Sequence, residues 1–202
     1  MKLYILIRFF GRVNGWISRN LFSKILRFIY SDSGVSIDQG AIFYGFPIIE
    51  CVNGAMISIG KNSVLCSKSY FTALGVSHPV IIRAQSRDAS IIIGNDCGMS
   101  GTTICSIASI EVGDGVLFGA DVQIFDNDFH PIISKSRRYD MEKIKSKPVK
   151  IGSNVFIGSR TTVLKGVNIG VNSVIGAGSV VLSDIPDNCI AAGNPCRVIR
   201  SL

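Results

Sequence analysis

The sequence predicts an all-β protein: a parallel β-helix of hexapeptide repeats, with short N-terminal helices and one long loop excursion. The first observation is an aliphatic residue at every sixth position between residues 149 and 182, without a break. The second is a glycine directly after four of these residues, and a small or β-branched residue four positions after five of them. The aliphatic series is Ile151, Ile157, Val163, Ile169, Ile175 and Val181.

This six-residue period differs from that of the common regular structures. An α-helix repeats near 3.6 residues and a half-buried strand near 2. Six is a multiple of the strand period, but polar residues interrupt the alternation that one long strand needs. A coil of short flat faces fits, because each hexapeptide then supplies one strand with its aliphatic residue inside and one corner. Three faces close a triangular coil, and successive coils stack about 4.8 Å apart. Irregular strands of a β-sandwich rarely keep such register.

The first 30 residues form a basic, amphipathic segment. They contain six basic residues and no acidic one, and their apolar residues recur at roughly helical spacing. The early apolar run is too short for a signal-peptide core or a membrane span. We expect short helices broken near residues 11–15. Their apolar side can pack on the β-helix or a sister subunit. Alternatively, residues 1–30 make peripheral contact with an anionic membrane, where each basic residue contributes about 1 kcal/mol.

The N-terminal segment carries most of the formal net charge of +7, so the remaining chain is close to neutral. This distribution argues against nucleic-acid binding. The six cysteines have no C-x-x-C spacing, and several stand at repeat positions beside apolar residues. We therefore predict reduced, core-filling thiols in a cytoplasmic protein, at the inner face of the membrane if the N-terminal segment binds lipid.

The chain divides into three segments by pattern. Residues 1–34 are the basic amphipathic helical segment, and residues 35–185 are the β-helix, whose repeats are ragged at first and regular later. Residues 186–202 are a C-terminal tail. An excursion at about residues 127–148 interrupts the repeat, and loops of this length inside a compact repeat usually have a function.

His130, one of only two histidines, stands where the excursion leaves the repeat. An imidazole can accept a proton at neutral pH, and a neighbouring carboxylate can fix its tautomer. Asp126 and Asp128 are the carboxylates closest in sequence. This pattern is typical of a general base, although a solvated loop histidine would look the same. His78 also lies in a loop, and we expect a structural or solvated role for it.

Three segments make the chain similar to a known family, the hexapeptide-repeat acyltransferases, in the branch of galactoside, maltose and polysaccharide O-acetyltransferases. The first is His130-Pro131 followed by a basic loop, and the second runs from Pro148 to Ser159. The third comprises residues 175–181, 184–186 and 192–200. Together they cover roughly residues 91–202. The resemblance implies a homotrimer of left-handed β-helices, acetyl-CoA as co-substrate without a metal, and sites between subunits.

The resemblance also implies a role for each matching residue. His130 would deprotonate the acceptor in a direct ternary complex, and Ser159 would stabilise the tetrahedral oxyanion. Asp128 is predicted to be catalytic from its place beside His130, and whether Asp126 or Asp128 orients the imidazole stays open. The implied acetyl-CoA contacts are Phe156, Ser159, Ala177, Gly178, Arg197 and Arg200. The implied acceptor contacts are Met99, Ser100, Asp126 and Asn127.

Departures from the family pattern concern the acceptor. Galactoside and maltose enzymes place an acceptor-binding asparagine about thirty residues before the histidine, where this chain has residues 98–101 without one. A Thr-Lys pair of the family is Leu182-Ser183 here. We therefore expect acetylation of a sugar hydroxyl of a cell-envelope polysaccharide or its nucleotide- or lipid-linked precursor.

Other functions remain open at this level. N-acetylation of an amino-sugar nucleotide is the main enzymatic alternative, and a non-catalytic β-helix scaffold or sugar-binding module is a second. A β-helix carbonic anhydrase needs three histidine ligands for its zinc ion, and this chain has two histidines.

Overall fold

Twenty short strands follow one another from residue 35 to residue 201 of the computed structural model. The structure describes residue 13, residues 15–30 and residues 33–202. The strands in chain order are β1 (Val35–Ile37), β2 (Ile42–Tyr44), β3 (Ile48–Cys51), β4 (Met56–Ile59), β5 (Val64–Cys66), β6 (Ile81–Ala84), β7 (Ser90–Ile93), β8 (Gly98–Ser100), β9 (Thr103–Ser106), β10 (Ser109–Val112), β11 (Leu117–Ala120), β12 (Gln123–Phe125), β13 (Val149–Ile151), β14 (Phe156–Ile157), β15 (Thr162–Val163), β16 (Asn168–Ile169), β17 (Val174–Ile175), β18 (Val180–Val181), β19 (Cys189–Gly193) and β20 (Cys196–Ser201).

The strands coil into a left-handed parallel β-helix with three faces, which confirms the predicted fold class. From β1 to β15, each strand pairs in parallel with the strand three positions further along the chain. Sheet A contains β1, β4, β7, β10, β13 and β16; sheet B contains β2, β5, β8, β11, β14, β17, β19 and β20; sheet C contains β3, β6, β9, β12, β15 and β18. We call the turns from sheet A to B the first corner, from B to C the second corner, and from C to A the third corner.

The hexapeptide aliphatics fill the interior, as the period predicts. On sheet A, from β4 to β16, the strand register places one such residue of each coil directly over the next, and all of these are buried. This column is Ile59, Ile93, Val112, Ile151 and Ile169. Burying a side chain of this size contributes about 1.5–3 kcal/mol, so the stacked columns are the main source of stability.

Small polar residues hold the corners. At the first corner, Asn62, Asn154 and Asn172 adopt left-handed backbone conformations, with φ between 57° and 59°. Asparagine tolerates this region better than other residues with a side chain. The Asn154 amide donates to Asn172 Oδ1 at 2.7 Å. At the next repeat position, the buried Ser173 hydroxyl donates to the Pro186 carbonyl at 2.7 Å. The asparagine side chains thus link neighbouring coils, and the Ser173 hydroxyl pairs with a backbone carbonyl of the turn.

Most of residues 186–202, for which a tail was expected, belongs to two strands of sheet B, β19 and β20. Strand β19 pairs in parallel with β17, and β20 folds back antiparallel on β19. This hairpin extends the sheet by two strands. The apolar and small residues of β19 continue the interior column through Ala191, which is fully buried.

A helix packs at the N-terminal end of the β-helix. A π-helical turn, Ser18–Phe22, leads into helix α1, Ser23–Tyr30. The buried Ser23 hydroxyl accepts the Phe43 N–H at 3.1 Å, and Leu26 joins the core. Part of the predicted basic segment, residues 1–12 with the expected break near residue 11, lies outside the described residues. Within the described ranges, no helix has the length and apolar character needed to cross a bilayer.

Candidate active site

Small side chains follow the second corner through four coils and leave a shallow groove, which we call the second-corner groove. The strand register and backbone hydrogen bonds of 2.8–2.9 Å stack one coil on the next. Gly178 has a φ of +68° and no atom within 4 Å of the position that a Cβ would take. The groove is therefore open at that coil. The residues that line its floor are Ser100, Ala120, Ser159 and Ala177.

Ser159 has hydrogen-bonding groups available in this groove. It is half-buried, and within the described chain neither its backbone N–H nor its hydroxyl forms a hydrogen bond. Gly119 underlies it so closely that a Cβ there would lie 2.5 Å from the Ser159 nitrogen. Two unsatisfied donors on one residue suit the stabilisation of a negative oxygen.

Phe156 forms a wall beside the groove. Its position on β14 pairs with Leu117 on one side and Val174 on the other, and its ring is 46% exposed. The outer face of sheet B is therefore apolar next to Ser159. Such a surface can pack against the thin, mostly apolar arm of a CoA molecule.

Arg197 and Arg200 lie on β20, at the C-terminal end of sheet B. Both are exposed, and each donates from Nη1 to a backbone carbonyl near its own position, at 2.8 Å and 3.1 Å. No carboxylate of the described chain forms an ion pair with either guanidinium. Two uncompensated arginines at the end of a groove suit a phosphate-bearing ligand.

Asp126 and Asn127 hold the start of the excursion at the third corner. Asp126 is fully buried, and its carboxylate accepts hydrogen bonds from the Ser106 hydroxyl at 2.6 Å and from the N–H groups of Ile107 and Ala108 at 2.9 and 2.8 Å. Asn127 donates to Asp126 at 3.1 Å and is itself buried. The structure therefore gives these two residues structural roles, in contrast to the predicted acceptor contacts, because their polar atoms are enclosed and already paired.

Asp128 does not hydrogen-bond to the His130 side chain, contrary to the sequence-based expectation. Its Oδ1 forms an ion pair with Lys165, and its Oδ2 is buried without a partner in the described chain. Only the backbone links it to His130, whose N–H lies 2.5 Å from the Asp128 carbonyl. The ion pair fastens the excursion to the coil that follows it.

The His130 side chain is exposed, and no described residue hydrogen-bonds to its imidazole. The excursion around it is ordered by its own contacts. Hydrogen bonds from Lys143 and Ser134 lower the pKa of Asp140, and both bonds lie within the loop. His130 is therefore presented outward from a structured loop, with both ring nitrogens available.

The two strand residues predicted to contact the acceptor differ in accessibility. Met99 is 2% exposed and belongs to the core, because its side chain points inward from β8. Ser100 is next along the strand, points to the opposite side and is half-buried at the second-corner groove. Little of the Met99 side chain is therefore accessible to an acceptor, and its predicted contact stays a prediction.

Within one chain, His130 and Ser159 stand on different edges of the triangular β-helix. Ser159 follows β14 at the second corner, whereas His130 follows β12 at the third. The excursion returns to its own corner, where Lys147 N–H donates to the Asp126 carbonyl at 2.8 Å. The two residues therefore belong to different corners of the chain.

The cysteines and the metal-binding candidates add no further chemistry to this site. All six cysteines are free thiols, and burial raises the pKa of Cys66, Cys97 and Cys105. The described ranges contain no cluster of three or more His, Cys, Asp or Glu side chains arranged to hold a metal ion.

Comparison with known proteins agrees with this architecture. Residues 148–183 match a family model described as hexapeptide repeat of succinyl-transferase. Through these repeats the chain is similar to the hexapeptide-repeat acyltransferase family.

The similar proteins include sugar acetyltransferases. Galactoside O-acetyltransferase of Escherichia coli strain K12 is 45% identical over 100 residues, which are 50% of this chain and 48% of that protein. The chain thus spans about half the length of the curated relatives it matches. A galactoside acetyltransferase solved in complex with coenzyme A is 29% identical, with a TM-score of 0.56 over 96% of this chain and 80% of that one. The N-acyltransferase AntD from Bacillus cereus, solved with dTDP and 3-hydroxybutyryl-CoA, is 19% identical with a TM-score of 0.67, over 89% of this chain and 87% of that chain. At that identity it shows the fold alone.

Two features of the site region have no counterpart in the sequence-based prediction. Lys165 occupies an ordinary corner position in the repeat, and its pairing with Asp128 depends on where the excursion returns. Residues 67–80 are rich in turn signals, which predict no particular contact. In the structure the Ser77 N–H donates to Asp121 Oδ1 at 2.9 Å, at the second corner. No sequence signal marks contacts between residues this far apart.

Proposed function

We propose that this protein transfers an acetyl group from acetyl-CoA to a sugar hydroxyl, as a homotrimer with one site between each pair of subunits. The observation that carries the proposal is the separation of the two halves of a site: an exposed, unpartnered His130 at the third corner, and Ser159 with free donors in the second-corner groove. Three copies packed around a threefold axis would bring the third corner of each subunit to the second corner of the next.

The proposed reaction is a direct transfer. His130 of one subunit accepts the proton of the acceptor hydroxyl while its oxygen attacks the thioester carbonyl. The C–S bond breaks from the tetrahedral intermediate, and the CoA sulfur leaves with the proton that His130 carries. The Ser159 N–H or hydroxyl of the neighbouring subunit would stabilise the oxyanion.

The second-corner groove supports the placement of acetyl-CoA. Ala177 and Gly178 are exposed and small, so a pantetheine arm can approach their backbone closely. Arg197 and Arg200 lie beyond them on β20 and carry no ion pair that would compete for phosphate. Relatives of this chain are named galactoside O-acetyltransferase, and one solved galactoside acetyltransferase holds coenzyme A.

A complementation experiment tests the shared site. His130→Ala removes the base, and Ala177→Trp fills the groove at an exposed position without disturbing the core. Each homotrimer should lose thiol release from acetyl-CoA by about 10²-fold or more. Mixed trimers from equal coexpression should regain about a quarter of wild-type activity, because one site in four pairs an intact His130 with an intact groove. No recovery in mixed trimers would mean that each subunit carries its own complete site.

The role of the arginines has its own test. Arg197→Ala should weaken coenzyme A binding more than it lowers kcat, since the contact is made before and during the reaction. Titration calorimetry with CoA and dephospho-CoA separates phosphate contacts from the rest. Equal affinity of the wild-type protein for both ligands would remove the 3′-phosphate from the proposal.

We propose an envelope polysaccharide, or its nucleotide- or lipid-linked precursor, as the acceptor. The basis is the departure from the galactoside pattern at residues 98–101 together with the basic N-terminal segment. A panel of hydroxyl and amino sugars, followed by mass spectrometry, distinguishes O-acetylation from N-acetylation of an amino-sugar nucleotide. An amide-linked product would mean that the acceptor is an amine, with His130 as the base that deprotonates it.

The N-terminal helical segment supports contact with a membrane at its cytoplasmic face. Most of its large apolar residues are exposed, including Leu21 at 56% and Phe28 at 80%. Lys24 and Arg27 lie on the same helix, and no acidic residue occurs in residues 1–30. Flotation with vesicles of anionic or zwitterionic lipid at low salt tests the contact. Phe28→Asp should reduce flotation with anionic vesicles, and equal recovery with both vesicle types would exclude an electrostatic anchor.

A further inference from the structure

Residues 67–80, which we call the 67–80 insertion, form an extra loop at the second corner. They lie between β5 and β6, where other crossings of this corner need only a few residues, such as 101–102 between β8 and β9. The insertion contains a short 3-10 turn, Ser69–Phe71. It therefore stands on the same edge of the β-helix as the second-corner groove.

The insertion runs along this edge and closes one end of the groove. Its Ser77 N–H donates to Asp121 Oδ1 at 2.9 Å. Val76 packs on Gly101 so tightly that a Cβ on that glycine would lie 2.8 Å from Val76 Cβ. Gly101 also has a φ of +56°, which glycine adopts without strain. The groove is thus covered at Gly101 and free from Ser159 onward.

The insertion is held in one conformation by its own hydrogen bonds. The Ser69 hydroxyl donates to the Val76 carbonyl at 2.9 Å and accepts the Val76 N–H at 3.1 Å. At its base, the Ser67 hydroxyl accepts the Val80 N–H at 3.1 Å. A loop fixed in this way loses little entropy when it binds a ligand.

Between the insertion and sheet B lies a groove of about 340 Å³. The Phe71 and Tyr44 rings form one side of it, with centroids 4.7 Å apart and planes inclined by 34°. Gly98 and Leu117 form its floor, and Ser100 connects it to the second-corner groove. The size is within the range of small-ligand sites, and one aromatic side with few polar groups is typical of them.

We propose that this groove is the acceptor subsite, in which one pyranose ring of an extended saccharide packs on Phe71 and Tyr44. The proposal rests on the proposed acetyl transfer at Ser159. A pyranose has a flat face of C–H bonds that packs well on an aromatic ring, whereas its hydroxyls remain at the edge, where Ser100 lies. Ser159 stands two coils from Ser100, which is about 10 Å at the strand spacing. A further sugar unit spans that distance, so the acceptor is larger than a monosaccharide.

Binding of defined saccharides tests the groove without requiring turnover. The probes are methyl β-D-galactopyranoside, methyl β-D-glucopyranoside, lactose and the acyclic galactitol, followed by saturation-transfer NMR and by titration. Wild-type protein should transfer saturation to pyranose C–H protons and not to galactitol, and lactose should bind more tightly than either monosaccharide. Phe71→Ala should weaken binding about tenfold or more. The matched control is Leu74→Ala, on the same insertion at a 77% exposed position outside the groove, which should leave binding unchanged.

The anchor of the insertion provides a second variant that does not touch the rings. Asp121→Gly removes the acceptor of the Ser77 N–H and suits the φ of +60° at this position. It should weaken pyranoside binding severalfold, and Asp121→Asn, which keeps an acceptor oxygen, should restore it.

Three outcomes separate this proposal from the proposed acetyl transfer. The saccharide groove is overturned if no pyranoside binds the wild-type protein, or if Phe71→Ala binds as well as wild type. If Phe71-dependent binding occurs without thiol release from acetyl-CoA, the acetyl transfer fails and the saccharide groove stands. If thiol release depends on His130 but not on Phe71, the acetyl transfer stands and the saccharide groove fails.

Discussion

The buried Asp126 carboxylate permits the sharpest prediction about stability. Asp126→Ala removes the acceptor of one hydroxyl, one amide and two backbone N–H groups, at 2.6–3.1 Å, in a side chain with no exposed surface. These donors belong to the last residue of β9, to the turn between β9 and β10 and to the first residue of the excursion. Within the described chain, the N–H groups of Ile107 and Ala108 donate to no other acceptor that could replace the carboxylate.

The magnitude follows from the donors left behind. A hydrogen bond to a charged group contributes about 1.5–3 kcal/mol, and a buried donor without a partner costs about 1–3 kcal/mol. The four contributions overlap, and water can enter the space left by the side chain, so their sum overstates the loss. We expect destabilisation of about 4 kcal/mol, at the upper end of single substitutions. Asp184→Ala is the matched control, because its exposed carboxylate accepts one backbone N–H, from Asn168 at 2.8 Å. Its expected cost is about 1 kcal/mol.

Urea unfolding followed by circular dichroism gives the midpoint for each variant. Hydrogen exchange at Ile107 and Ala108 reports the same loss locally, together with faster exchange through residues 127–148. Equal midpoints for Asp126→Ala and Asp184→Ala, with the Ile107 and Ala108 amides still protected, would refute the reasoning. That result would mean that the Asp126 carboxylate does not stabilise the third corner, from which the excursion with His130 leaves.

Three further predictions concern packing, the ion pair and the thiols. Gly119→Ala places a Cβ 2.5 Å from the Ser159 nitrogen, so it should lower the free energy of unfolding by several times as much as Gly115→Ala. At Gly115 only a φ of +68° opposes the side chain, and we expect a loss of roughly 1–2 kcal/mol there. Thermal unfolding midpoints compare the two variants. Lys165→Met leaves the half-buried Asp128 carboxylate without a cation and should lower the free energy of unfolding by about 3 kcal/mol. Hydrogen exchange in residues 127–148 should become faster, and unchanged exchange there would contradict the prediction. Burial raises the pKa of several thiols, so these thiols ionise at lower pH in the unfolded chain than in the folded protein. The free energy of unfolding should therefore fall as the pH rises above about 8.5, which a series of urea titrations from pH 7 to 10 measures. A midpoint that does not change with pH would argue against buried thiols. These thiols are Cys66, Cys97, Cys105 and Cys196.

The β-helix could be predicted because its pattern is local and repeated. Each hexapeptide determines its own strand and corner, and neighbouring coils require the same interior residue at the same position, as in the column that contains Ile151 and Ile169. The C-terminal hairpin could not be predicted in this way. Strand β20 runs antiparallel and follows no hexapeptide period, so only its pairing with β19 defines it.

In the candidate site, too, the residues of the repeat could be predicted and those that depend on distant contacts could not. Ser100, Ser159, Ala177 and Gly178 belong to the repeat, and the regular stacking of coils brings them to one edge. The structural role of Asp126 could not be predicted, because its burial is decided by the turn that encloses it and nothing in the sequence places that turn against its carboxylate. The burial of Met99 could not be predicted either, because a ragged repeat leaves the inward and outward positions of a short strand undetermined.

The sequence by itself determined the coil, its three-sided interior and the position of the excursion that carries His130. Each repeat must bury its own aliphatic residue, so the same local pattern recurs in every hexapeptide and is visible in the sequence. Only the tertiary structure decided which carboxylate supports the excursion, which end of the second-corner groove is closed, and that His130 and Ser159 stand on different edges of one chain. Those features depend on contacts between residues far apart in sequence, where a single side chain pairs with whatever the folded coil brings beside it.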